Sequence, residues 1–183
     1  MKIMIASDIH GSAFYCEKLL ERFTDEQPDK LILLGDILYH GPRNDLPKDY
    51  APKKVITMLN GIKSEILCVR GNCDTEVDQM VLEFPIMADY AILYWKNKLI
   101  YITHGHNINE KNPPKMKKGD ILLCGHTHVP AFEKGEGYTY LNPGSVSIPK
   151  KNSHHSYLLL NDEEVIFKNL DGIEYKKILF GEF

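Results

Sequence analysis

Five apolar, strand-like runs in this chain each stop at a side chain of the kind that binds a metal ion. Residues 2–6 run into Ser7-Asp8-Ile9-His10-Gly11, and residues 30–34 into Gly35-Asp36. Residues 64–69 run into Arg70-Gly71-Asn72-Cys73-Asp74, residues 98–103 into His104-Gly105-His106, and residues 120–124 into Gly125-His126-Thr127-His128. Continuous apolar runs of this length suit strands covered on both faces, as in parallel sheets. In such sheets ligands gather outside the carboxyl ends of the strands. The pattern therefore favours a fold that brings five strand ends to one crevice.

The stretches between these runs predict how the ends are connected. Residues 12–23 have apolar positions at helical spacing (Phe14, Leu19, Leu20, Phe23), with Ser12 placed to cap the helix and residues 24–29, containing Pro28, to break it. A second helix is expected over 52–60, ended by Gly61, and a short one over 75–82. Residues 88–94 and 98–103 read as two strands joined at Lys96-Asn97, and 138–141 as a strand entering the tight turn Asn142-Pro143-Gly144-Ser145. That turn is expected to serve loop geometry rather than catalysis. Residues 156–160, 164–169 and 176–180 read as antiparallel strands turning at Asn161-Asp162 and Asp171-Gly172. The early chain alternates strand and helix and the later chain is mostly strand. The expectation is one α/β domain over 1–183, with a largely parallel part and an antiparallel part.

Composition excludes several classes. A length of 183 residues with 43% hydrophobic and 26% charged residues suits one globular domain with a real core. The net charge of −3 gives no electrostatic case for nucleic-acid binding. No apolar run approaches the roughly 20 residues that cross a bilayer, and no signal-peptide pattern precedes the first strand. Cys16, Cys68, Cys73 and Cys124 form no C-x-x-C pair, so neither a zinc knuckle nor a disulfide framework is suggested. A reducing cytoplasm is the expected setting. The basic residues of the polar loop 107–119 read as a solvated surface.

Collected, the strand-end groups are Asp8, His10, Asp36, Asn72, His104, His126 and His128: two carboxylates, one amide and four imidazoles. One divalent ion cannot use them all and keep a position open for substrate, whereas two ions sharing a bridging carboxylate can. A donor set of nitrogen and oxygen without thiolate favours Mn²⁺, Fe or Zn²⁺ in a catalytic site over a closed structural zinc. Two such ions about 3.5–4 Å apart suit in-line attack on phosphorus by a metal-activated hydroxide. In the loop 40–52, His40 and Arg43 are the candidate substrate contacts; Arg43 could hold a phosphate oxygen or a surface ion pair.

At this point the sequence resembles the calcineurin-like metallophosphoesterases. Asp8-Ile9-His10, Gly35-Asp36, Gly71-Asn72-Cys73-Asp74, His104-Gly105 and Gly125-His126-Thr127-His128 match the five ordered motifs of that family over nearly the whole chain. Residues 35–44, the cysteine of Gly-Asn-Cys-Asp and Asn142-Pro143-Gly144-Ser145-Val146-Ser147 are similar to the small bacterial YfcE-type phosphodiesterases. The resemblance implies a four-layered α/β/β/α sandwich with a dinuclear metal centre. It implies that Asp8, His10 and His128 hold one ion, that Asn72, His104 and His126 hold the other, and that Asp36 bridges. Mn²⁺ is the expected metal, with Fe, Zn²⁺ and Ni²⁺ also compatible. Asn72, Cys73 and His104 are the catalytic candidates it implies.

Cys73 departs from the wider family, which has at this position a histidine thought to protonate the leaving group. A thiol is a poor acid, so the likeness implies a preference for leaving groups that need little protonation, such as aryl diesters. His40, His106 or water could stand in. The expected partner is a small phosphodiester substrate, with no membrane and no nucleic acid; self-association into a homo-oligomer is compatible with the reading. Two alternatives belong to the same fold: a protein-binding scaffold like the Vps29 subunit of the retromer coat, and a nucleotide or dinucleoside-polyphosphate hydrolase.

Overall fold

A computed structural model describes residues 1–135 and 137–182. The predicted elements form in order. The first strand, β1 (Ile3–Ala6), leads to helix α1 (Ala13–Glu26), strand β2 (Lys30–Leu33), helix α2 (Pro52–Asn60), strand β3 (Ile66–Cys68) and the short helix α3 (Glu76–Gln79). Then follow β4 (Tyr90–Trp95), β5 (Lys98–Thr103), β6 (Asp120–Leu123), β7 (Pro130–Lys134), β8 (Tyr138–Pro143), β9 (Ser156–Leu160), β10 (Glu164–Asn169) and β11 (Glu174–Leu179).

The strands form two mixed sheets. One has the order β11-β10-β9-β1-β2-β3 and the other β4-β5-β6-β8-β7. In the first, β1, β2 and β3 run parallel and β9 joins β1 antiparallel. In the second, β5, β6 and β8 run parallel between the antiparallel edges β4 and β7. Parallel pairing is therefore shared between the sheets rather than confined to the early chain.

Alternation along each strand divides the core. Ile3 and Ile5 of β1 face inward with Ile100, Ile121, Leu123, Leu158 and Phe167, so both sheets contribute to one buried layer. Met4 and Ala6 face the other way and pack with Cys16 and Leu19 of α1 and Val55 and Leu59 of α2. On the outer face of the five-stranded sheet, Ile108 and Met116 from the loop 104–119 cover Leu122, Cys124 and Tyr140. These are the layers of the expected sandwich, with a loop covering that outer face.

The bounds of α3, β3, β4, β8 and β11 differ from expectation by one to three residues, and two further differences have a physical reason. Helix α1 runs past Phe23 to Glu26, because the chain turns out only at Gln27, which takes a left-handed conformation (φ 46°) and donates its N–H to the Phe23 carbonyl. Strand β7, at residues for which the sequence predicts no element, pairs antiparallel with β8. It starts at Pro130, and an edge strand tolerates a first-position proline. All four cysteines are free. Among the described residues no helix is long and apolar enough to cross a membrane.

Candidate metal centre

The carboxyl ends of β1, β2, β3, β5 and β6 meet in one crevice, and each delivers its polar groups there. Asp8, His10, Asp36, His126 and His128 all have positive φ, between 50° and 65°. Non-glycine residues rarely adopt this conformation, and it clusters where a site over-determines the backbone. The turns are also pressed together. A Cβ on Gly71 would lie 2.1 Å from Asp36 Oδ1, so only glycine lets the third strand's turn pass behind that carboxylate.

Hydrogen bonds fix the histidine rings. His10 Nδ1 lies 2.7 Å from the Tyr39 carbonyl, His104 Nδ1 2.6 Å from that of Leu34, and His128 Nδ1 2.8 Å from that of Ile148. A carbonyl only accepts, so each Nδ1 carries the proton, and in a neutral ring Nε2 is left bare as a ligand atom. The bare atoms converge. His10 Nε2 is 3.4 Å from His128 Nε2, and these atoms are 3.5 Å and 3.2 Å from Asp8 Oδ1. Among the described residues, Asp8 Oδ1 is buried with no hydrogen-bond partner. Three lone-pair-bearing atoms this close repel one another unless a cation or added protons lie among them. The first cluster therefore fits a metal ion.

The second cluster adjoins it. His104 Nε2 is 3.1 Å from Asn72 Oδ1, 3.2 Å from His126 Nδ1 and 3.4 Å from Asp36 Oδ2. The same Asp36 oxygen lies 3.7 Å from His10 Nε2, between the two groups. Its other oxygen accepts the Cys73 N–H at 2.8 Å. Asp8, His10 and His128 form one set of potential ligands within 4.8 Å, and Asp8, Asp36 and His104 form another. All seven strand-end groups named from the sequence are thus brought together.

Burial and charge set the protonation of the site without a metal. Burial alone would raise the Asp8 carboxyl, but His10 and His128 beside it hold it well below the usual range. Burial opposes charging His104, yet Asp36 and Asp8 outweigh it and push the imidazole up to about 9. His10 is raised for the same reason. Burial, reinforced by Asp36, pushes the Cys73 thiol up to about 12, so it stays neutral.

A cleft of about 320 Å³ opens over the site, lined by Asp36, Asn72, Cys73, His126 and His128, with Arg43, Asn44 and Lys150 at its rim. Arg43, one of the two candidate substrate contacts, lines this cleft. His40 does not line this cleft; its ring packs edge-on against Tyr39 and Tyr50, with centroids 4.8 Å and 5.2 Å away. His106 lies beside His104, 5.4 Å between ring centroids.

Several positioning residues carry no ligand signature. Asp74 accepts N–H groups from Asp36 (2.8 Å), Ile37 (2.9 Å) and Gly71 (2.7 Å), tying the second and third turns. Asn142 donates to the Gly125 carbonyl at 2.7 Å, and Ser145 and Ser147 donate to the Asp8 carbonyl at 2.9 Å and 3.0 Å. The Asn142-Pro143-Gly144-Ser145 turn thus braces the ligand loops, as expected of loop geometry. Lys150, which lies just beyond this stretch and has no motif of its own, was not anticipated.

Comparison with known proteins agrees with this arrangement. The calcineurin-like phosphoesterase superfamily domain matches residues 1–164. Phosphodiesterase YfcE of Escherichia coli is 46% identical over 163 residues, covering 89% of each chain. The solved structure of YfcE, a phosphoesterase from E. coli, superposes with a TM-score of 0.95 at 42% identity, over 98% of this chain and 100% of that one. Zinc-bound Vps29 from Entamoeba histolytica, at 21% identity, TM-score 0.65 and coverage of 98% and 99%, shares the fold alone. The chain therefore belongs to the calcineurin-like phosphoesterase superfamily, and as a member it is a hydrolase of phosphoric ester bonds.

Proposed function

We propose that the protein is a metal-dependent phosphodiesterase with a dinuclear centre, most simply of Mn²⁺, acting on small phosphodiesters. The observation that carries this reading is Asp36 Oδ2, which lies between His10 Nε2 at 3.7 Å and His104 Nε2 at 3.4 Å. In this reading Asp8, His10 and His128 hold one ion, Asn72, His104 and His126 hold the other, and Asp36 bridges. Such a pair supplies an activated water for in-line attack and offsets the charge that grows on the phosphoryl oxygens.

The chain's own groups do the rest. The Nδ1 contacts to Tyr39, Leu34 and Ile148 keep His10, His104 and His128 oriented. Arg43 and Lys150 supply positive charge at the rim, where a phosphodiester anion enters. Cys73 presents a neutral thiol that is a weak acid, which suits leaving groups stable as anions. The 46% identity to a protein named phosphodiesterase supports the choice of diesters.

The test is hydrolysis of bis-p-nitrophenyl phosphate by metal-stripped protein titrated with Mn²⁺. Activity should appear with metal. His128→Ala and Asp36→Asn should abolish it while the far-ultraviolet circular dichroism stays that of the folded protein. Turnover retained in either variant, or none at any metal level from folded protein, overturns the reading; the latter result turns attention to a scaffold role.

A further inference from the structure

A second cavity, of about 360 Å³, lies beside the metal cleft, walled by Tyr39, Tyr50, Ile56, Val77, Val81 and Cys73. Cys73 is the residue that lines both cavities. On one side the thiol's neighbours are carboxylate, amide and imidazole; on the other they are aromatic and aliphatic. The groove also keeps apolar surface in contact with water: Tyr39 is 42% exposed, Val81 43% and Val77 68%. The aromatic wall is held in place, because the His40 ring packs edge-on between Tyr39 and Tyr50.

We propose that this groove is a substrate subsite, and that it takes an aromatic or similarly apolar ester group of a phosphodiester whose phosphate sits in the metal cleft. The proposal rests on the phosphodiesterase reading and narrows its substrate class. The occupant is set by continuity. A group leaving the phosphate past Cys73 enters a space that offers mostly ring faces and methyl groups, with Thr75 and Asp78 the polar members of its lining. A side chain larger than cysteine at position 73 would take up space between the two cavities that it lines. Gly41 closes against the thiol from the opposite side, where an added Cβ would lie 3.2 Å from Sγ. Pockets of this volume, largely apolar with a few polar groups converging at one end, are the usual form of a small-molecule site. Burying a phenyl ring against such walls should be worth about tenfold in affinity, or about 1.4 kcal/mol.

The experiment is direct binding, by calorimetry on Mn²⁺-loaded protein, of three ligands that are not turned over: inorganic phosphate, methylphosphonate and phenylphosphonate. Phenylphosphonate should bind about tenfold more tightly than methylphosphonate to the wild type. In Val77→Asn, Val81→Asn and the double variant that preference should shrink toward unity, while inorganic phosphate binds as before. Equal binding of the two phosphonates to wild type, or a preference that survives in the double variant, overturns the proposal. Failure of the underlying reading looks different, since Mn²⁺ and inorganic phosphate would then not bind.

Discussion

Asp74 touches neither cleft nor ligand atoms, yet three backbone N–H groups of the site's turns end on its carboxylate. An asparagine there has one acceptor oxygen instead of two, so at least one buried N–H loses its partner, at a cost of about 1–3 kcal/mol. Asp74→Asn should therefore lower the unfolding free energy by that amount, and weaken Mn²⁺ binding about 10–100-fold through misplacement of Asp36. Chemical denaturation and metal titration measure the two effects. The raised imidazoles give a second expectation. Metal needs His104 and His10 deprotonated, whereas the neighbouring carboxylates push His104 up to about 9 and raise His10. Protons therefore compete with metal below that range, and metal affinity should fall as pH drops from about 9 toward 6. Calorimetry at pH 7 in buffers of different ionisation enthalpy should register net proton release on loading; no release would mean these imidazoles are already neutral. The seven converging strand-end groups were legible in the sequence because each is a metal-binding type at the end of an apolar run. The role of Asp74 was not, because its partners Asp36 and Ile37 lie across a different strand end and only the fold brings them close.

The strand-end turns work as one packed unit. A Cβ on Gly125, after β6, would lie 2.0 Å from Ser7 Oγ and 3.1 Å from Asp8 Oδ2, after β1. Gly125→Ala must therefore push the turns that carry Asp8 and His126 apart, at an overpacking cost of about 1–3 kcal/mol, and should weaken metal binding with it. Gly181→Ala is the control, because among the described residues nothing lies within 4 Å of the added carbon. Thermal unfolding of both variants, with and without Mn²⁺, separates the effect of the contact from that of losing a glycine. Elements were legible where periodicity was strong: α2, β5, β9 and β10 have the boundaries their patterns predicted. Strand β7 was not, because its five residues are half-buried or exposed, open on proline and show no alternation. Its existence depends on the unpaired side of β8, which a local pattern cannot express. The same limit hid the parallel pairing of β5, β6 and β8, since strand direction within a sheet is set by crossovers rather than by the strands.

At the scale of the molecule, the site is a seam between the two sheets. Asp8, His10, Asp36 and Asn72 follow strands of the six-stranded sheet, whereas His104, His126 and His128 follow strands of the five-stranded one. Across the middle the sheets are held by apolar packing from both, with Ile5, Leu34, Leu123 and Leu158 all at most 2% exposed. At the strand ends the seam is polar, and its carboxylates and bare imidazole nitrogens repel until something positive lies between them. An ion bound there bonds to both sheets at once and is absent from the unfolded chain, so it should stabilise the fold by mass action. At a free metal concentration of 100 Kd the gain is about 2.7 kcal/mol for one site. Mn²⁺ should therefore raise the unfolding temperature of the wild type by several degrees, and a chelator should reverse the rise. His128→Ala removes a proposed ligand contributed by the five-stranded sheet and should lose most of the shift while keeping the fold. An unfolding temperature indifferent to Mn²⁺ in the wild type would mean that the seam is closed by protons alone.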